Sequence, residues 1–489
     1  MLSKSQFIRG LQCYKSLWLY KNKPSLRSKL TAQEDALFET GNQVGDLACQ
    51  LFPHGIEIEF DPTNFSGMAQ QTMVLISRGQ EVIYEATFQQ KGIFVMADIL
   101  VKNGDKWDVY EVKASTEVKG YHKNDAAVQW YALSEVLDLN SISIIHVNNQ
   151  YERQGSLDIH QLFHIENITD IVEAKQTEVP IRLQAMEQMI LEEEPEIEIG
   201  PQCSDPHDCD FKAHCWKDIS SPSVFDLYRM RADKKFELYR QGITTYDQIP
   251  ASQKLSDVQQ VQVESYLNQK TLVDKSIIQS FIDTVQYPIH FFDFETFQDA
   301  VPRFDGQKSY VLMPFQYSLH IQHTDGTVEH KEYLGDEHTD PRQALAEQMV
   351  NDILSHGSLM AYNQSFEKRV IRELAQSFPQ YKTELMQIHD RFVDLLDPFR
   401  ALGYYHPDFN GSFSIKSVLP AMFPNDPELD YKKLDIQHGG MAMDTFANLH
   451  RLKEPSQRDK IRQDLLAYCH LDTLAMVRIY EKLISFSQE

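Results

Sequence analysis

The alternation of apolar and polar residues predicts two mixed α/β segments with a helical segment between them. In the first segment the pattern predicts three strands: Val82–Phe88, Gly92–Val101 and Lys106–Lys113. The Asn103-Gly104 dipeptide between the last two is typical of a hairpin turn. Residues 221–283 have helical periodicity, and apolar strands begin again at Ile289. A helix is predicted over Arg462–Leu483. The pattern therefore indicates three parts, residues 1–220, 221–283 and 284–489.

Composition narrows the class of protein. A chain of 489 residues with 42% hydrophobic and 24% charged residues is typical of a multidomain globular protein. No apolar run suits a membrane span, and the first thirty residues lack the apolar stretch of a signal peptide, so a cytoplasmic location without membrane association is expected. The net charge of -24 disfavours nucleic-acid binding. However, residues 1–30 carry seven Lys or Arg and no acid, and a cationic helix is predicted over Ser3–Tyr20.

The predicted hairpin brings two acids and a lysine together. Asp98 lies on its first strand, and Glu111 and Lys113 lie on its second. Residues two apart on a strand face the same side, so Glu111 and Lys113 project together. Two carboxylates can bind Mg²⁺ or Mn²⁺, and a lysine can position a metal-bound water. The competing interpretation is an ordinary exposed acid-x-Lys pair, because such triplets are common.

Four cysteines are placed for a shared metal site: Cys13, Cys203, Cys209 and Cys215. The last three fall within thirteen residues rich in turn-forming side chains, which favours ligands over core packing. Four thiolates suit a cubane iron–sulfur cluster or a tetrahedral zinc, with His207 or His214 as substitute zinc ligands. Cys49 and Cys469 lie in apolar helices and are interpreted as core residues.

This combination of motifs resembles the iron–sulfur branch of the RecB-like (PD-(D/E)XK) nucleases, which includes the CRISPR-adaptation nucleases. The resemblance covers about residues 1–220. It implies that the four cysteines ligate a [4Fe-4S] cluster and that the hairpin residues are catalytic, with Asp98 and Glu111 as metal ligands and Lys113 beside them.

Two features depart from that family. The cysteine cluster has two gaps of five residues instead of an initial CxxC pair, and the predicted early helix Thr31–Phe52 lacks the histidine that often binds metal. Glu39 or Asp46 is the expected substitute for this histidine. Gln129 is the expected counterpart of the family's helix-borne glutamine.

Three acidic motifs follow in the second α/β segment. Asp293 and Glu295 lie two positions apart on an apolar strand, and a bound metal explains the pair because burying uncompensated charge is costly. Glu367 lies where a short strand is expected to lead into a helix. Tyr468 and Asp472 lie four residues apart, on one face of the last helix. A solvated helix acid is the competing interpretation for Glu367 and for Asp472.

The order and spacing of these motifs resemble the tyrosine variant of the DEDD 3′–5′ exonucleases, which have a ribonuclease-H-like fold. The resemblance implies two metal ions held by carboxylates, among them Asp293, Glu295 and Asp472, and a tyrosine that orients the attacking water. The implied catalytic residues are Asp293, Glu295, Glu367, Tyr468 and Asp472. The second motif usually ends in Asp, so Asp394 is the alternative to Glu367.

The predicted fold class is α/β, with a RecB-like nuclease core and a ribonuclease-H-like exonuclease fold joined by a helical segment. The predicted function is that of a metal-dependent DNA nuclease that uses Mg²⁺ or Mn²⁺ and acts on single strands or free ends, in DNA repair or defence. The alternatives are a ribonuclease, or a nucleic-acid-binding protein with one degenerate nuclease domain.

Overall fold

The computed structural model describes residues 1–29 and 31–488, which form two compact units. The first unit comprises Met1–Asp218 and Asp299–Tyr310, and the second comprises Ile219–Gln298 and Val311–Glu489. Both units are mixed α/β, as the sequence predicts. The helical segment 221–283 belongs to the second unit. None of the helices in the described ranges combines the length and apolar character needed to cross a membrane.

The first unit is built on a seven-stranded sheet. Its strands are β1 (Leu2–Ser3), β2 (Ile56–Glu57), β3 (Val82–Gln90), β4 (Ile93–Asn103), β5 (Lys106–Lys113), β6 (Leu139–Val147) and β7 (Phe163–Asn167). Its helices are α1 (Lys4–Gln12), α2 (Tyr14–Asn22), α3 (Ala32–Cys49), α4 (Phe65–Ser77), α5 (Gly120–Leu133), α6 (Ile159–Leu162), α7 (Thr169–Ala174), α8 (Glu178–Leu191) and α9 (Lys212–Cys215).

The strand order is β2-β3-β4-β5-β6-β7, with β1 paired to β4. The predicted β4–β5 hairpin is confirmed, and Gly104 adopts the left-handed φ of 62° that its turn requires. Strand β6 runs parallel to β5, and α5 forms the crossover between them. The predicted single helix over Ser3–Tyr20 is wrong, because Cys13 has an extended backbone that ends α1 and begins α2.

The second unit contains a five-stranded sheet and a separate pair of short strands. The strands are β8 (Leu272–Val273), β9 (Ile289–Phe297), β10 (Met313–Gln322), β11 (Val328–Leu334), β12 (Ser358–Ala361), β13 (Phe392–Asp394) and β14 (Tyr404–Tyr405). The helices are α10 (Ala232–Arg240), α11 (Asp257–Asn268), α12 (Lys275–Ile282), α13 (Arg342–Asp352), α14 (Ser365–Ser377), α15 (Lys382–His389), α16 (Asp397–Arg400), α17 (Ile415–Met422), α18 (Gly439–Leu449) and α19 (Pro455–Gln488).

The five-stranded sheet has the order β11-β10-β9-β12-β13, in which β9, β10 and β11 are antiparallel and β12 and β13 run parallel to β9. Helices cover both faces of the central strands, which explains why β10 is buried along its whole length. On one face, Phe292, Phe294 and Tyr317 pack in a core with residues of α13, α14 and α15. Helix α19 packs on β9 and β10 from the other face.

Candidate metal-binding sites

Three acids converge in the second unit. Asp293, Glu295 and Asp472 each offer a carboxylate oxygen, and these oxygens all lie within 4.8 Å of one another. Asp293 and Glu295 lie two positions apart on β9, so their side chains point to the same face of the sheet, on which α19 packs. Asp472 faces them from α19 and is 8% exposed. The folded chain therefore brings together donors from two distant segments, of the type that divalent cations prefer.

Glu367 completes a set of four carboxylates around one cavity of about 470 Å³, which Tyr468 also lines. Asn363 has a left-handed φ of 76°, which turns the chain from β12 towards α14 and places Glu367 in the first turn of that helix. Glu367 is 3% exposed, and its Oε2 has no hydrogen-bond partner. A buried carboxylate oxygen without a partner is available to a cation.

Asp394, the alternative to Glu367, has a different role. Its Oδ1 accepts hydrogen bonds from the backbone N–H groups of Asn363 (2.8 Å) and Leu396 (3.1 Å). It is not among the residues that line the cavity. Asp394 therefore fixes the loop that positions α14, and Glu367 is the carboxylate that reaches the cavity.

Two further residues hold the site together. The Tyr431 hydroxyl donates to Asp472 Oδ1 at 2.5 Å, and the Lys416 ammonium donates to the Tyr468 hydroxyl at 3.2 Å. Lys416 also donates to the carbonyl of Gln437 at 2.9 Å. Lys416 lies on α17 and Tyr431 lies on a short 3₁₀ turn, so both reach the cavity from elements outside the three acidic motifs.

The electrostatics of this cavity favour a bound cation. Burial and mutual repulsion raise the pKa values of Asp293 and Glu295 well above their usual range. Burial raises the pKa of Glu367 to about 8 and that of Asp472 to about 6. Lys416 is the cation that opposes this repulsion, and burial lowers its own pKa. Among the described residues that line the cavity, Lys416 is the cation whose charge acts on Asp293, Glu295 and Asp472.

In the first unit, the backbone pairing of β4 and β5 ends next to the predicted acids. The paired register stops at Ile99 and Tyr110, and beyond it Asp98 Oδ2 accepts a hydrogen bond from the Val112 N–H at 2.6 Å. A carboxylate thus replaces a backbone carbonyl as the partner of this N–H group. Asp98 and Glu111 lie where the two strands separate.

Glu111 is held by three donors: Lys4 at 2.8 Å, Lys113 at 2.6 Å and Gln129 at 2.5 Å. Lys113 also donates to Asp125 at 2.6 Å, one helical turn before Gln129 on α5. Lys4 and Asp125 were not predicted, although the four-residue spacing of Asp125 and Gln129 places them on one helix face. Among the described residues, the acids near Glu111 do not include three with oxygens within 4.8 Å of one another.

The acids of this site differ in pKa because nearby lysines neutralise them to different degrees. Burial and the charge of Glu111 raise the pKa of Asp98 to about 8. Burial also acts on Glu111, but the charges of Lys113 and Lys4 outweigh it and hold the pKa of Glu111 below its usual range. Burial raises the pKa of Glu85 to about 7, and the charge of Glu111 adds to this rise, with a smaller contribution from Asp46. Both proposed substitutes on α3, Glu39 and Asp46, are exposed.

All four predicted cluster cysteines line one small cavity of about 20 Å³ in the first unit. Cys13 reaches it from the corner between α1 and α2, and polar contacts hold this corner against the later cysteine segment. The Arg9 guanidinium donates to both carboxylate oxygens of Asp210, and Gln12 donates to the carbonyls of Gln202 and His207.

The sulfurs are not tightly grouped. Among the described residues, no three of them lie within 4.8 Å of one another. Neither His207 nor His214 lines the cavity. Outside it, Cys469 is fully buried in α19, whereas Cys49 is only partly buried.

The chain is similar to known sequences over limited stretches. Residues 290–414 match a family described as "Domain of unknown function (DUF2779)". The match includes Asp293, Glu295 and Glu367 and ends before Tyr468. An uncharacterized protein of Ureaplasma parvum serovar 3 (strain ATCC 700970) is 26% identical over 209 residues, which cover 39% of this chain and 30% of that protein. The chain thus spans less than a third of the length of that relative. No solved structure matches the chain significantly.

Proposed function

We propose that this protein is a metal-dependent nuclease that hydrolyses phosphodiester bonds of DNA, with its principal site in the second unit. The observation that carries the proposal is the convergence of Asp293, Glu295 and Asp472, whose oxygens lie within 4.8 Å of one another. Glu367 and Tyr468, from the other predicted motifs, line the same cavity. The agreement between these positions and the motif order supports a DEDD-type exonuclease site on a ribonuclease-H-like fold.

The residues around the cavity have distinct roles in this proposal. When bound, Mg²⁺ or Mn²⁺ supplies activation of water and neutralisation of phosphate charge. The four carboxylates hold the cations, and Tyr431 fixes Asp472 through its hydrogen bond. The Tyr468 hydroxyl, held by Lys416, orients a water. A cavity of about 470 Å³ is large enough for the end of a nucleic-acid strand.

We propose a second, RecB-like nuclease site at Asp98, Glu111 and Lys113 in the first unit. Asp98 and Glu111 would hold a cation there, and Lys113 would orient a water or the phosphate. The support is the contact of Lys113 with Glu111 and the position of Gln129 beside them, as the resemblance implies. The Lys4 ammonium departs from the arrangement expected of a RecB-like nuclease, because it already neutralises part of the acidic charge.

We propose that the four cysteines bind an iron–sulfur cluster and not zinc. A tetrahedral zinc with Zn–S bonds of about 2.3 Å places its sulfurs roughly 3.8 Å apart. No three cysteine sulfurs of the described chain lie within 4.8 Å of one another, which is wider than zinc requires. In a cubane cluster each thiolate binds a different iron, so the sulfurs are farther apart. Lys15 and Lys212 also line the cavity and would offset the charge of four thiolates.

The test uses the full chain and end-labelled single-stranded DNA and RNA of one sequence, with Mg²⁺ or Mn²⁺. Wild-type protein is expected to shorten the DNA from its 3′ end. Asp472→Asn should lower that rate by roughly 100-fold or more, since it removes a carboxylate from the cation cage. Asp459→Asn is the matched control, because Asp459 is an exposed acid on the same helix.

The first site is tested in parallel with Asp98→Asn, and Asp105→Asn is its control on the same hairpin. Unchanged cleavage in a double variant that carries both Asp472→Asn and Asp98→Asn would reject both sites. Cleavage of RNA alone would make the protein a ribonuclease. Binding without cleavage of either nucleic acid would instead support a degenerate, nucleic-acid-binding protein.

A further inference from the structure

Three histidines from three elements meet in the second unit, apart from the carboxylate cavity. His320 lies on β10, His330 is its partner on β11, and His470 lies on α19. One ring nitrogen of each lies within 4.8 Å of the other two. The histidines are up to 150 residues apart in the sequence, so no sequence spacing predicts this group.

The distances within this histidine trio suit a tetrahedral metal ion. Zn–N bonds of about 2.0–2.1 Å in a tetrahedral site place two ligand nitrogens roughly 3.3 Å apart. The distance between His470 Nδ1 and His330 Nε2 is 3.2 Å. One ring nitrogen of His320 lies within 4.8 Å of the ligand nitrogens of both other histidines, so a movement of at most roughly 1.5 Å would bring it to the tetrahedral distance.

Hydrogen bonds orient the ring of the most buried member, His320. Its Nδ1 lies 2.8 Å from Thr473 Oγ1, which also lies 2.7 Å from Ser318 Oγ and 3.1 Å from the His470 carbonyl. Ser318 Oγ in turn lies 3.0 Å from His330 Nε2. When Nδ1 of His320 donates to Thr473, the lone pair of the ring lies on Nε2. A histidine whose second nitrogen is fixed by a hydrogen bond in this way is typical of metal sites.

A carboxylate lies beside the three histidines. Glu332 Oε2 lies 4.0 Å from His330 Nε2, and both side chains are accessible to solvent. A carboxylate and an entry path are thus present beside the three nitrogens.

We propose that His320, His330 and His470 form a site for a borderline transition-metal ion, Zn²⁺, with Glu332 or water as the fourth ligand. Imidazole ligands favour Zn²⁺, whereas the all-carboxylate cavity favours Mg²⁺ or Mn²⁺. The two sites thus select different ions. Because His470 lies between Tyr468 and Asp472 on α19, the zinc ion ties that helix to β10 and β11 beside the carboxylate cavity.

The experiment counts zinc in the full-length protein. Wild type, His330→Ala and His323→Ala are stripped with chelator, loaded with Zn²⁺ in excess Mg²⁺, desalted and measured by inductively coupled plasma mass spectrometry. His323 is the matched control, since it follows β10 near the turn to β11 and pairs with Glu329 instead of the trio. Any zinc bound by the cysteines is common to all three proteins, so the difference between variants reports on the trio.

We expect wild type and His323→Ala to retain one more zinc per chain than His330→Ala, and to gain thermal stability on loading that His330→Ala does not gain. Equal zinc content in all three folded proteins would overturn the proposal. If His330→Ala does not fold, anomalous diffraction from zinc-soaked crystals of the wild type decides the matter. A peak between the three imidazoles supports the site, and its absence refutes it. Neither outcome depends on nuclease activity.

Discussion

At the residue scale, the two carboxylate sites differ in how their charge is neutralised. Glu111 contacts two ammonium groups, those of Lys4 and Lys113, within 2.8 Å. In the second unit, the ammonium of Lys416 opposes the repulsion among the acids around Asp293, and it donates a hydrogen bond to Tyr468. Removing charge from water without a partner is unfavourable, so we expect the proposed site in the second unit to depend more strongly on a bound cation.

This dependence predicts how stability responds to pH. Burial raises the pKa of Glu367 from 4.5 to about 8. A group whose pKa is raised on folding contributes stability below its unfolded pKa, and this contribution is lost as the pH rises through the folded value. In EDTA, the melting temperature of the wild type should therefore fall as the pH rises from about 5 to about 8. The melting temperature of Glu367→Gln should fall less over the same range. Differential scanning calorimetry measures this.

Glu384→Gln, which alters an exposed acid on α15, is the control and should follow the wild-type curve. Mn²⁺ should reduce the decrease in the melting temperature of the wild type, because a bound cation stabilises the ionised carboxylates. Identical curves for wild type and Glu367→Gln would contradict the buried position of this side chain.

Lys4 gives a second prediction at this scale. Its ammonium lies 2.8 Å from Glu111 and repels any divalent cation at the first site. Lys4→Met, in an Asp472→Asn background that weakens the second site, should tighten Mn²⁺ binding about tenfold, as measured by electron paramagnetic resonance. Lys106→Met, an exposed lysine on β5, is the control. Weaker Mn²⁺ binding in Lys4→Met would indicate instead that Lys4 organises the acids for the cation.

At the element scale, the corner between α1 and α2 positions Cys13 beside the other three cysteines of the cavity. The extended backbone of Cys13 directs this corner towards the later cysteines, and Arg9 secures it by two hydrogen bonds to Asp210. The break in the helix was not predicted, because the apolar pattern of residues 3–20 is continuous through Cys13. The break is nevertheless what brings the first thiol to the other three.

The cysteine corner predicts a measurable cluster. Anaerobically purified protein should be brown, absorb broadly near about 400 nm, and contain iron and sulfide. Cys203→Ser should lose most of this absorption, whereas Cys49→Ser, outside the cavity, should retain it. Colourless protein that contains stoichiometric zinc at the cysteines would reject the iron–sulfur assignment.

At the scale of the whole molecule, the sequence predicted the features that depend on periodicity and on local residue spacing. The β4–β5 hairpin and the apolar strand with Asp293 and Glu295 have patterns that local sequence encodes. Sequence alone left Glu367 and Asp394 as alternatives, because which acid reaches the cavity depends on the left-handed turn at Asn363.

The sequence did not predict the residues that reach the sites only through tertiary packing. Lys4, Lys416 and Tyr431 contact the sites from elements outside the predicted acidic motifs. The histidine trio was missed for the same reason, since each member lies on a different element. Local patterns therefore identified strands and acids, whereas the partners that set their charge state required the folded chain.

The 34-residue helix α19 holds Tyr468, His470 and Asp472 in a single stretch, with Gln316 bonded to the Leu465 carbonyl just before them. Each residue of an α-helix advances the direction of its side chains by about 100°. Inserting or deleting one residue between Leu465 and Tyr468 would thus swing all three side chains away from their partners together. This segment should accept changes of surface side chains but no change of length, so related sequences are expected to align through it without gaps.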